Sequence, residues 1–148
     1  MTYLTYKDIT DDLVIIKINK TYHKGMSERE LYEYTRGFWK RRKESVEQAD
    51  YALAVAFGEV VEVYRIDKWI DAIEADNVVR VYDPKRHSDR IAFNGEVAES
   101  KIRDKYIGKS VANLYKYGEA NPVKLILKTD YSRNTALDCL PTKALKGR

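Results

Sequence analysis

Two indoles, Trp39 and Trp69, stand in a 148-residue chain that also carries twelve tyrosines, three phenylalanines and 27 lysines and arginines. A base taken out of its stack needs a flat ring or guanidinium to lie on, fixed hydrogen-bonding groups for its edge, and cations for the flanking phosphates. Trp39, Tyr64 and Trp69 are candidates for the wall, Asn121 for the edge contact, and Arg36, Lys40, Arg41 and Lys109 for the phosphates. Taken singly, each of these is better explained by packing or solvation. As a set they describe a base-binding surface with an electropositive approach.

Reactive chemistry has less to work with. Gly108-Lys109-Ser110 has the end of a phosphate loop, but the upstream glycine of that motif would fall at position 103, which is Arg103. His23 and His87 lie in separate polar turns with no patterned nucleophile or carboxylate beside them. No pair of carboxylates sits in an apolar setting that would split their pKa values. Cys139, the single cysteine, can form no internal disulfide, and with two histidines it makes no standard zinc set. The expectation is therefore a binding module and not an enzyme, with no catalytic residue, metal ligand or cofactor.

The elements that must position the aromatic and basic residues follow from local patterning. Leu13 to Ile18 is short, β-branched and bounded by polar residues, which predicts a strand. Ser27 and Glu30 form a capping box with Met26 and Leu31 as a hydrophobic staple, so a helix starts at Ser27; Leu31, Tyr34 and Phe38 extend one face to about Lys43. Asp50 to Trp69 reads as two apolar strands folded at Phe57-Gly58-Glu59. Val78 to Tyr82 is a further strand candidate, paired through the loop Asp83–Asp89 with a returning strand at Arg90 to Phe93. Glu96 to Tyr106 reads as a short helix with Val97, Ile102 and Tyr106 inward, closed by Gly108. Lys109 to Tyr117 is ambiguous, Val123 to Leu127 is the last strand, and 129–148 reads as a loosely attached tail after a single domain at 1–128.

Composition bounds the class. A hydrophobic content of 44% against 34% charged residues belongs to a globular protein with a core, and the net charge of +4 is mild evidence for a polyanionic partner. No apolar stretch approaches the roughly 20 residues that span a bilayer. The acids Asp8, Asp11 and Asp12 are unlike the basic start of a signal peptide. A cytoplasmic protein with no membrane partner is expected. The whole reads as an α+β domain built on a small mixed, curled β-sheet or pseudo-barrel with flanking helices.

The order of segments resembles PUA-like domains of the EVE- and ASCH-related branches, found alone or fused to bacterial restriction and nuclease modules. The similar pieces are GMSERELYEYTRGFWK at 25–40, YALAVAFGEVVEVYRIDKW at 51–69, FNGEVA at 93–98 and YIGKSVANLYKYGEANPVKLI at 106–126. Arg36 and Trp39 match the family's Arg-Gly-x-Trp helix end, Trp69 its hairpin-closing tryptophan, and Asn121 and Pro122 its late Asn-Pro pair. The chain departs from the family where an Arg-Trp-x-Phe strand is replaced by Arg90-Ile91-Ala92-Phe93, and a closing Tyr-Val-Asn by Leu125-Ile126-Leu127. The resemblance implies a non-enzymatic domain whose pocket accepts a modified or unstacked base of DNA or RNA. The alternative left open is a phage or mobile-element protein that binds a host defence protein or sequesters a small nucleotide.

Overall fold

Strand β1 (Leu13–Lys17) is an apolar run whose first four residues are buried, as a strand covered on both faces requires. The computed structural model of the chain describes residues 2–128; the expected tail at 129–148, with Cys139, lies outside them. β1 runs parallel to β2 (Tyr51–Ala56) and antiparallel to β5 (Val123–Ile126). β2 turns through Phe57-Gly58 into β3 (Glu59–Asp71), which pairs antiparallel with β4 (Ile91–Val97). Both turn residues have positive φ, 51° and 84°, the backbone that a two-residue hairpin matching the strand twist demands.

The result is an open five-stranded sheet in the order β4-β3-β2-β1-β5. It is curled, and its register shifts between Ala54 and Val55 and between Ile66 and Lys68, where bulges bend a strand. Among the described residues there are four α-helices: α1 (Glu28–Arg36), α2 (Lys43–Val46), α3 (Pro84–His87) and α4 (Ser100–Tyr106). The expected mixed α+β class with a curled sheet and flanking helices is what forms. No described helix is long and apolar enough to cross a membrane.

The pleat of the sheet divides most of the core into two layers, beside a smaller third cluster of Phe38, Ile70, Ala72 and Ala92. Leu13, Ile15, Leu53, Val55 and Val63 meet Ile102 and Tyr106 of α4 on one face. Val14, Ile16, Ala52 and Ala54 meet Val46 of α2, Phe93 and Trp69 on the other, with Leu31 and Tyr32 of α1 packed against them. Phe93 is fully buried, with its ring 5.3 Å from that of Trp69 and 6.1 Å from that of Tyr32. Burying such a side chain contributes roughly 1.5–3 kcal/mol.

Three local expectations give way to tertiary contacts. Helix α1 ends at Arg36, not near Lys43, because the chain becomes extended at Gly37 and the backbone of Trp39 exchanges two 2.9 Å hydrogen bonds with Ile91 at the start of β4. Gly37 allows this close approach: a Cβ there would sit 2.8 Å from the Cβ of Ala92. Val78 to Tyr82 is not a strand, since the amides of Val78, Val79 and Arg80 donate to the buried carboxylate of Glu33 and are lost to any ladder. The segment 91–97 therefore pairs with the far half of β3. Val97 ends that strand with its side chain exposed, and α4 begins only at Ser100. Between Lys109 and Tyr117 the one regular element is a single 3-10 turn at Ala112–Leu114.

Candidate functional site

The C-terminal end of β1 and the chain entering β5 lie side by side, because Lys17 donates its amide to the carbonyl of Pro122 at 2.8 Å. Across from them runs the segment that leaves α1. Together they enclose a groove of about 460 Å³, lined by Lys17, Lys20, Tyr34, Trp39, Arg80 and Pro122 among others. This lies in the usual size range of small-molecule sites, about 300–1,000 Å³. No acidic side chain is among the described residues that line it.

Each wall residue is held from behind. Trp39 is half-buried; its indole Nε1 donates to the carbonyl of Thr35 at 2.9 Å, and its backbone is fastened to Ile91. Tyr34, half-buried on α1, lines the groove with the Arg80 guanidinium 5.2 Å from its ring. Lys17 places its ammonium 3.9 Å from the centroid of the Tyr115 ring, and Lys124 lies 4.7 Å from the same ring. Neither Lys17, Lys20 nor Arg80 makes an ion pair with a described carboxylate. Among the described residues no carboxylate neutralises their charge.

Arg80 is the best-positioned cation of the site. Its guanidinium lies over the rings of Phe38 and Tyr34, at 4.4 and 5.2 Å, and donates to the carbonyl of Gly37. Its own amide is one of three successive N–H groups aimed at Glu33, at 2.7, 2.8 and 2.7 Å from Val78, Val79 and Arg80. Arg29 Nε adds a fourth donor at 2.6 Å. Burial pushes the Glu33 carboxyl up, but these hydrogen bonds together pull it below its ordinary value. Glu33 thus pins the segment that carries Arg80.

Arg80 also lines a second recess, of about 300 Å³, with Phe38, Arg86, His87 and Arg90. Burial, followed by the charges of Arg80 and Arg86, lowers the His87 pKa, and its Nδ1 accepts from the Asp83 amide at 3.0 Å. Beyond it is an open hollow of about 470 Å³ lined by Lys40, Arg41, Arg42, Ser45 and Asp89.

The residues singled out from sequence divide accordingly. Trp39 is in the groove, and Asn121 is exposed between two lining residues, Ala120 and Pro122, with its Oδ1 accepting from the Val123 amide at 3.2 Å. Lys40 and Arg41 line the open hollow, where Lys40 lies 3.7 Å from Asp89 and Arg41 donates to the carbonyl of Val123. Tyr64 is 2% exposed and packed against Tyr32 and Phe93, so it offers no free face. Trp69 packs against Phe93 in the core, with an indole N–H that has no partner among the described residues, and also lines a separate recess of about 330 Å³ with Lys43, Asp67 and Lys68, apart from the Trp39 groove. Arg36 is 2% exposed and spends its guanidinium on the carbonyl of Phe93, the side chains of Asn77 and Asn94 and the ring of Tyr32. Lys109 is half-buried beside the β2–β3 turn, where its carbonyl accepts from Val60, and it does not line the groove.

Lys17, Lys20, Arg80, Arg86 and Arg90 were not singled out from sequence. A signal existed in the density of cations across 80–90, read there as a polar loop around Pro84. Among the described residues no group of three or more His, Cys, Asp or Glu is placed to hold a metal ion.

Fold and groove together define a small α+β domain with a cationic, aromatic-walled cleft at one end of its sheet. No family model, curated protein or solved structure matches the chain.

Proposed function

We propose that this chain is a non-enzymatic nucleic-acid-binding module that takes an unstacked or modified base into the Trp39 groove. One observation carries the reading: the groove joins two aromatic side chains, Trp39 and Tyr34, to the cations Lys17, Lys20 and Arg80, with no acidic residue among its described lining. A ring to stack on and unpaired cations beside it are what a base and its backbone require. Asn121 at the rim supplies a polar group for the base edge. Lys40, Arg41 and Arg42 extend the positive surface for the flanking strand.

The PUA-like assignment belongs to the same proposal. It is supported by the order of matched segments and by a curled mixed sheet in which a parallel pair, β1 and β2, is flanked by antiparallel strands. The resemblance and the groove agree on Trp39 and the Asn121-Pro122 turn, and a cytoplasmic setting fits such a partner.

A second reading has its own observation. Ile73, Val78 and Val81, all in the stretch between β3 and α3, are 66%, 78% and 80% exposed, apolar side chains that a protein such as a host defence component would cover. Fluorescence anisotropy near 0.15 M salt, with matched DNA and RNA oligonucleotides carrying modified or unmodified bases, separates the two. A tenfold preference, about 1.4 kcal/mol, for one base state supports the module. Uniform, steeply salt-dependent binding reduces the groove to electrostatics. Absence of binding together with a stable protein complex favours the second reading.

A further inference from the structure

The recess bounded by Arg80, Arg86, His87 and Arg90 is separate in chemistry from the Trp39 groove, though Arg80 belongs to both. Its floor is the Phe38 ring, on which the Arg80 guanidinium lies at 4.4 Å and the His87 ring at 4.6 Å. Phe38 is 3% exposed, so this floor is fixed by the core. Arg80 is further held by its amide on Glu33 and by the Gly37 carbonyl. Arg80, Arg86 and Arg90 therefore all line one recess of about 300 Å³. The only ion pair any of them makes with a described carboxylate is that of Arg90 with its neighbour Asp89, at 3.3 Å.

Concentrating like charges in this way is unfavourable without an anion to share. Planar guanidiniums match the oxygens of phosphate in paired hydrogen bonds, which a single ammonium cannot. We propose that Arg80, Arg86 and Arg90 form a phosphate subsite, and that it receives the phosphate of the same nucleotide whose base lies against Trp39. The second clause rests on the base-binding reading; the first stands on the arginine recess alone. Arg80, as the common wall, joins the two halves: its guanidinium, held over Phe38 and Tyr34 and on the Gly37 carbonyl, meets a phosphate from a fixed position beside the groove. On this view the unit recognised is a nucleotide, with base and phosphate read together, and the open Lys40 hollow handles only the continuing strand.

The first test follows the arginine Nε–Hε resonances of the intact protein during titration with inorganic phosphate, using chloride at matched ionic strength as control. Arg80, Arg86 and Arg90 should shift saturably with phosphate, while the buried Arg36 stays still. Equal effects of chloride, or no saturable shift, overturn the subsite. In Arg86→Gln/Arg90→Gln, with Arg86 exposed and Arg90 half-buried, phosphate affinity read at Arg80 should fall at least fivefold; an unchanged affinity also overturns it, and the exposed Arg86→Gln alone should give a weaker loss in the same direction.

The second test compares a nucleoside, its monophosphate, and oligonucleotides with and without a terminal phosphate. The monophosphate should move Trp39 and the three arginines with one binding constant, about tenfold tighter than the nucleoside. A monophosphate that moves only one set overturns the single-nucleotide arrangement. Phosphate binding without any oligonucleotide binding upholds the subsite and removes the nucleic-acid reading. Oligonucleotide binding that leaves the arginines unmoved does the reverse. An advantage for oligonucleotides over the monophosphate identifies a strand as the source of the phosphate, and parity identifies a free nucleotide.

Discussion

Replacing Glu33 with glutamine isolates the device that positions Arg80. The carboxylate is fully buried, with Oε1 accepting from the amides of Val79 and Arg80, and Oε2 from the amide of Val78 and Arg29 Nε. A carboxamide keeps one oxygen and makes the other position a donor, so two of the four donors lose their acceptor whichever way it is turned. The cheaper orientation abandons Val78 and Arg29, because the Arg29 side chain is 41% exposed and can turn to water. With a part-buried unsatisfied donor costing at most about 1–3 kcal/mol, and the remaining bonds no longer charge-assisted, Glu33→Gln should destabilise the protein by about 1–3 kcal/mol. Urea denaturation followed by circular dichroism measures this.

The same substitution should change the acid limb of stability. Because the folded-state pKa of Glu33 is lowered, its contribution is fully present above the unfolded value of about 4.3 and is lost as pH falls through the lower folded one. Wild type should lose more stability than Glu33→Gln between pH 5 and the acid transition. A variant within about 0.5 kcal/mol of wild type at pH 7, with the same acid slope, would refute the claim that this carboxylate holds the 78–80 segment.

Arg36→Lys should cost about 2–4 kcal/mol, since one ammonium cannot serve Phe93, Asn77 and Asn94 at once, yet leave the salt dependence of oligonucleotide binding unchanged; urea titration and anisotropy report the two. Trp39→Ala should weaken base-dependent binding by about 1–3 kcal/mol, the range for one base–aromatic stack. Tyr64→Phe, within the core, should leave binding as it is, and anisotropy compares them. Gly37→Ala forces a Cβ to 2.8 Å from Ala92 and should destabilise by about 1–3 kcal/mol, read as a lowered thermal midpoint.

What the residue order determined by itself was local. The apolar run of β1, the Phe57-Gly58 hairpin and the Ser27–Glu30 capping box are governed by side-chain period, backbone permissiveness and bonds spanning three residues, and all of them form. The base-binding role inferred for Trp39 came from its type and its position at a helix end. Tyr64, Trp69 and Arg36 carry the same kinds of side chain, and nothing nearby in sequence marks them as interior. Their places depend on which strand covers them: Phe93, 57 residues from Arg36, supplies the carbonyl that its Nε meets.

The tertiary structure alone decided the site's electrostatics. Val78 to Tyr82 has the composition of a strand, but Glu33, 45 to 47 residues away, draws its first three amides out of any ladder. A buried carboxylate without donors is far costlier than a forgone edge strand, so the loop wraps the charge. That wrapping carries Arg80 to the rings of Tyr34 and Phe38, and so into one groove with Lys17 and Lys20, while Arg86 and Arg90 line the recess next to it.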